Sequence, residues 1–96
     1  MYYILLYDVV EDYVKKRAPF REEHLRLADE AAEKGQLLLG GALDNPVDGA
    51  VLVFQADDSS VVEEFVKNDP YVKNGLITNW KIRDWTVVTG SAMCEG

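Results

Sequence analysis

The opening stretch Tyr2 to Tyr7 is apolar on both of its faces, and this constrains the fold more than any other feature of the chain. Rich in aromatic and branched side chains, residues 2–8 read as a strand. Alternate strand residues point to opposite sides, so Tyr3, Leu5 and Tyr7 share one face and Tyr2, Ile4 and Leu6 the other. A second segment, residues 50–56, behaves alike, with Val51 and Val53 opposing Leu52 and Phe54. Burial is worth roughly 25 cal/mol per Å² of apolar surface, so a sheet made of such strands needs cover on both sides.

The remaining elements follow from periodicity and punctuation. Residues 9–18 are polar and charged and read as a loop. Pro19 suits the first turn of a helix. From Phe20, a repeat of about 100° per residue brings Leu25, Leu27, Ala28, Ala31 and Ala32 onto one arc, with Glu22, Arg26, Asp29, Glu30 and Glu33 opposite. Gly35 ends that helix after Lys34. Residues 36–43 and 50–56 read as two strands joined through Asp44-Asn45-Pro46-Val47-Asp48-Gly49, which has turn chemistry at nearly every position, so they form a hairpin. Residues 57–60 supply helix caps, Ser60 and Glu63 are spaced as a capping box, and Val61, Val62, Phe65 and Val66 form an apolar stripe that Pro70 interrupts. Tyr71 to Asn74 adds a short helical turn closed by Gly75, and residues 78–88 alternate as a long last strand. A single domain over residues 1–88 with a mobile tail at 89–96 is expected.

Strand, helix, strand, strand, helix, strand is the order of a ferredoxin-like α+β sandwich, in which two helices cover one face of a four-stranded antiparallel sheet. The other face then needs a partner. A second copy is the simplest one, and two sheets packed face to face make a dimeric α+β barrel. The alternative is a monomer whose open face is softened by tyrosine hydroxyls and by Lys81 and Arg83.

Several function classes conflict with the composition. Seventeen acidic against ten basic residues, with no basic run longer than Lys15-Lys16-Arg17, argue against nucleic acid as a partner. Cys94 is the only cysteine, which leaves no disulfide framework and no structural zinc set. The first apolar run is too short for a signal peptide or a membrane span. These readings point to a cytoplasmic protein with no nucleic-acid or membrane partner.

His24, the only histidine, falls inside the apolar arc of the first helix. An imidazole with a reference pKa near 6.5 exchanges protons at neutral pH, and a buried one needs partners for its nitrogens. It either donates to a carbonyl as an inert core residue or pairs with a carboxylate. Asp69 is the best carboxylate, because it precedes Pro70, where the backbone must leave helical geometry and the side chain can turn toward the sheet. It can equally be a local turn cap. Arg21, one turn before His24, can reach an anionic substrate or form a surface salt bridge. Asp8, at the end of the first strand, is a further candidate for the same cavity. Ser59 and Ser60 read as caps, and Gly40-Gly41 as a strand bulge or a place of close backbone approach.

Taken together, Arg21-Glu22-Glu23-His24-Leu25, Gly35-Gln36-Leu37-Leu38 with Gly40-Gly41, and Asn68-Asp69-Pro70-Tyr71-Val72 with Gly75 resemble the signature blocks of the YciI-like (YCII-related) proteins, over about residues 1–88. The resemblance implies a small dimeric α+β barrel and matches His24 and Asp69 to the family's His–Asp dyad, in a pocket between helices and sheet. It also suggests that the Tyr71 hydroxyl serves the pocket, with a packing ring as the alternative. The chain departs from the family pattern at Ala42, where many relatives carry Gly-Pro after the second strand.

Two functions follow. The first is a cofactor-free acid–base enzyme with no metal, of lyase or isomerase type, performing elimination or isomerisation on a small organic molecule. In it the dyad is catalytic and Arg21, Tyr71 and Asp8 bind substrate. The alternative is a non-catalytic dimeric module that binds a small ligand or scaffolds a partner. A haem-handling or oxygen-using enzyme has only one histidine to stand on.

Overall fold

A computed structural model describes residues 1–93. Its elements run β1 (Tyr2–Val9), α1 (Tyr13–Lys16), a three-residue 3-10 turn (Ala18–Phe20), α2 (Arg21–Glu33), β2 (Leu37–Leu43), β3 (Gly49–Gln55), α3 (Ser60–Asn68), α4 (Pro70–Lys73), β4 (Ile77–Trp85) and a second 3-10 turn (Ser91–Met93). The strands form one antiparallel sheet in the order β2-β3-β1-β4. This is the ferredoxin-like α+β arrangement expected from the element order, with the anticipated hairpin as β2 and β3.

The register assigns each face. Tyr3 pairs with Phe54, Leu5 with Leu52 and Tyr7 with Ala50, and these six side chains are buried against α2 and α3 through Val62, Phe65, Val66, Leu27 and Ala28. On the other face Leu6, Leu39, Leu43 and Trp85 stay 37%, 66%, 50% and 44% exposed. That face is the uncovered apolar surface required by two-sided strands.

Helix ends carry the expected punctuation. Gly35 and Gly75 take φ of +77° and +75°, left-handed conformations that a Cβ disfavours, just after α2 and α4. The cap of α3 differs from expectation. Ser60 is the first helical residue and the Ser60–Glu63 box is not made; Asp58 accepts from both the backbone N–H and the hydroxyl of Ser60. The Ser60 N–H is taken by Asp58 and the Glu63 N–H by the Ser59 carbonyl oxygen, so both donors of the box are already engaged.

Two further differences have physical causes. Residues 9–18 contain α1 and lead into the 3-10 turn, anchored by Tyr13, which is 4% exposed beneath Tyr71 and Leu76. One helical turn is too short to show a period. The last strand stops at Trp85 and not at 88: Trp85 pairs with Tyr2, the first residue of β1, and the preceding Met1 carbonyl accepts from Ala56 on the other side. Alternation continues to Val88 without a ladder to join, and Val88 is exposed. Of the proposed tail, residues 94–96, including Cys94, lie outside the described residues.

Candidate active site

The site is organised by the break between α3 and α4. Pro70 forces residue 69 out of helical geometry, and Asp69 takes φ −72° and ψ 119°, which makes it the N-cap of α4. Its side chain is fully buried. Oδ1 accepts from the backbone N–H of Tyr71 at 3.0 Å and lies 2.9 Å from His24 Nδ1; Oδ2 accepts from the Tyr7 hydroxyl at 2.8 Å. The local and long-range roles weighed for Asp69 are therefore both filled, one carboxylate capping a helix and holding a ring 45 residues away.

His24 is the partner expected of an inward-facing helical ring. A carboxylate has only acceptors to offer, so opposite one Nδ1 carries the hydrogen and donates to Oδ1, and in the neutral ring Nε2 then keeps its lone pair. Nε2 makes no hydrogen bond among the described residues, and the His24 side chain is 15% exposed. The ring is sandwiched by aromatics: it stacks on Tyr71 with centroids 4.0 Å apart and planes 10° off parallel, and Phe65 meets it edge-on at 6.4 Å. Tyr13 in turn meets Tyr71 edge-on at 5.7 Å. Rotation of the imidazole is thus restrained by two rings and one hydrogen bond.

His24 lines a cavity of about 380 Å³ between α2 and the β2 edge of the sheet. Leu25, Ala28, Leu38 and Leu52 give it apolar walls, and Gly40 and Ala42 make room on the strand side. The strand register shifts between Leu37 and Leu39, just before the glycine pair; Gly40 and Gly41 themselves pair in register with Leu52 and Val51, and of the two readings Gly40 fits close approach, with a Cβ there 3.0 Å from Leu52 Cγ. Arg17, Arg21, Tyr13 and Tyr71 supply the polar end. Arg21 makes no ion pair among the described residues, so the salt-bridge alternative does not hold.

Tyr7 was not among the sequence candidates, yet its hydroxyl completes the carboxylate's donor set. Its signal was the alternation of β1, which puts Tyr7 on the helix-covered face opposite the small Ala50. Burial, and then the Asp69 charge beside it, push the Tyr7 phenol far above its ordinary value, so the hydroxyl stays a donor. Tyr13 and Tyr71 are also raised, burial being the main cause in both; the Arg17 and Arg21 guanidinia pull the other way. Asp8 is a correction. It is exposed and does not line the cavity, because as the strand neighbour of Tyr7 it lies on the opposite face.

Among the described residues no group of three or more His, Cys, Asp or Glu side chains is gathered as a metal site, and no helix is long and apolar enough to cross a membrane. The YCII-related domain matches residues 1–86, and the chain belongs to that family. No curated protein matches the sequence. Among solved structures, the chain is similar to 5-chloro-2-hydroxyhydroquinone dehydrochlorinase (TftG) from Burkholderia phenoliruptrix in complex with 2,5-dihydroxybenzoquinone, with 22% identity, a TM-score of 0.75, and 90% of this chain and 94% of that one covered. An antibiotic biosynthesis monooxygenase shares the fold at 10% identity and TM-score 0.57, covering 93% of this chain and all of that one. An uncharacterized NIPSNAP domain protein from Burkholderia xenovorans does so at 12% identity and TM-score 0.52, with 97% and 96% covered.

Proposed function

We propose that the protein is a cofactor-free acid–base enzyme of lyase or isomerase type that acts on a small organic molecule, with His24 as the base and Asp69 as its orienting carboxylate. The observation that carries this reading is the 2.9 Å contact between His24 Nδ1 and buried Asp69, beside a cavity that the same ring lines. Nε2 takes a proton from a carbon next to an activating group. In an elimination the C–H electron pair becomes the new C=C bond, the bond to the leaving group breaks with its pair, and the imidazolium later passes its proton to solvent. In an isomerisation the same nitrogen returns the proton one position along. Asp69 stabilises the imidazolium through Nδ1–H, and Tyr7 holds the second carboxylate oxygen. The dehydrochlorinase likeness supports an elimination in kind.

We also propose that two copies pair through the outer sheet face in the cytoplasm, which gives exposed Leu39, Leu43 and Trp85 their cover. The test of the chemistry is His24→Asn, assayed against halogenated hydroxyaromatics and lactones that the wild type turns over. Far-UV circular dichroism is expected to match the wild type while turnover falls about 10²- to 10⁴-fold, the usual worth of a positioned base. Turnover retained in a folded His24→Asn protein overturns the assignment.

A further inference from the structure

Arg17 and Arg21 both line the His24 cavity, and neither forms an ion pair among the described residues. The Arg17 guanidinium lies 5.1 Å from the centroid of the Tyr13 ring, an aromatic contact that fixes its direction beside the cavity. Arg21 opens α2, one turn from His24. Asp29, two turns further along α2, is the one carboxylate among the lining residues. Next to these cations, Tyr71 is 1% exposed, and among the described residues its hydroxyl has no well-formed hydrogen bond, only the neighbouring Arg21 guanidinium within its reach. A buried hydroxyl without a well-formed hydrogen bond costs stability, and an acceptor atom placed between it and Arg21 would recover that cost. The chain as a whole carries a net charge of −7, which repels anions at long range and makes two unpaired guanidinia at one cavity a local arrangement.

We propose that the cavity takes a small organic anion, its charged oxygen held by Arg17, Arg21 and the Tyr71 hydroxyl and its carbon body against Leu25, Leu38 and Leu52. The shared chemistry is an anionic oxygen on a compact apolar frame, supplied by a carboxylate or by an acidic phenol or enol. Arginine suits both, since its fork gives two parallel donors to a planar anion. The assignment deepens the acid–base reading and rests on it only for which carbon faces His24. An anionic oxygen conjugated with that carbon adds electron density where a leaving group must depart, while the guanidinia hold the charge in place.

The test is binding by isothermal titration calorimetry without turnover, using benzoate, 4-nitrophenolate and the neutral isostere benzamide. Wild type is expected to bind at least one of the anions about tenfold or more tighter than benzamide, the scale of a charge-assisted hydrogen bond at a part-exposed site. Which anion wins separates the carboxylate from the phenolate source. Arg17→Gln and Arg21→Gln each reduce the preference, and the double variant abolishes it with its melting curve unchanged. Tyr71→Phe keeps the ring stack and weakens the anion alone. Anion binding that persists in His24→Asn keeps this proposal standing even where the catalytic one fails. Equal affinity for anions and benzamide, a preference that survives in the double arginine variant, or no binding of any of the three probes overturns it.

Discussion

Tyr7→Phe isolates the hydrogen bond on which the site's geometry depends. The substitution keeps the ring that packs against Leu5, Leu52 and the helices and removes one oxygen, so no cavity large enough to relax is created. What is lost is the 2.8 Å donor to Asp69 Oδ2, an oxygen with no other donor among the described residues on a side chain with no exposed surface. A hydrogen bond to a charged group is worth about 1.5–3 kcal/mol, and because Tyr7 also borders the cavity, water can replace part of it. The expected loss is therefore about 2 kcal/mol, near the lower end. For a domain of this size that is a fall in Tm of about 8–16 °C. Urea unfolding of wild type, Tyr7→Phe, Asp69→Asn and the double variant gives the coupling between the two side chains, expected at about 1–2 kcal/mol. A Tyr7→Phe protein within about 0.5 kcal/mol of wild type, or a coupling near zero, refutes the claim that Tyr7 sustains the buried carboxylate.

The raised phenols predict an alkaline limit. The unfolded Tyr7 phenol ionises near pH 10 while the native one keeps its proton, so its contribution is intact below about pH 10 and declines above it by about 1.4 kcal/mol per pH unit. Tyr13 and Tyr71 act in the same direction, and Tyr7→Phe flattens the curve measured by urea unfolding at stepped pH. Gly49→Ala puts a Cβ 2.9 Å from the Tyr7 carbonyl oxygen, a backbone atom that cannot step aside, and is expected to lose about 1–3 kcal/mol in the same assay. Leu39→Lys on the outer face is expected to turn a dimer into monomers in sedimentation equilibrium with the helical signal kept; an unchanged mass removes that face from the interface.

The parts of the fold legible in the sequence were those that repeat. Two-sided strands, the apolar arc of α2 and the turn at 44–49 each involve several residues that agree, whereas the register of β1 with β3 joins residues 2–8 to the distant residues 49–55 and none of these features states it. His24 and Asp69 were legible as candidates for different reasons, a ring on the wrong face of an amphipathic helix and an acid before proline. Their contact spans 45 residues, and no local spacing states it. The family resemblance supplied the pairing. Asp8 misled because chain proximity to the cavity end of β1 was weighed without the pleat that turns it outward. Tyr13 and Arg17 were missed because α1 and the adjoining 3-10 turn are shorter than any period that could reveal them.

The cavity itself comes from an omission of bulk. Where α2 faces the edge strand it presents Ala28 and Ala32, and β2 answers with Gly40 and Ala42, so neither wall reaches the other. Leucines at those positions would close the space and add buried area, as they do in an ordinary core. Gly40 is already close to that limit, since a Cβ there would meet Leu52 Cγ at 3.0 Å. Small side chains thus keep the gap open from both sides while His24, one turn before Ala28, stands at its wall held by Asp69 and Tyr71. The rigid parts of the site belong to the core, and the adaptable part, the two guanidinia, stands at the partly exposed start of α2 and the turn before it. That division is the one the proposed enzyme needs, an adaptable entrance for a guest beside a fixed ring.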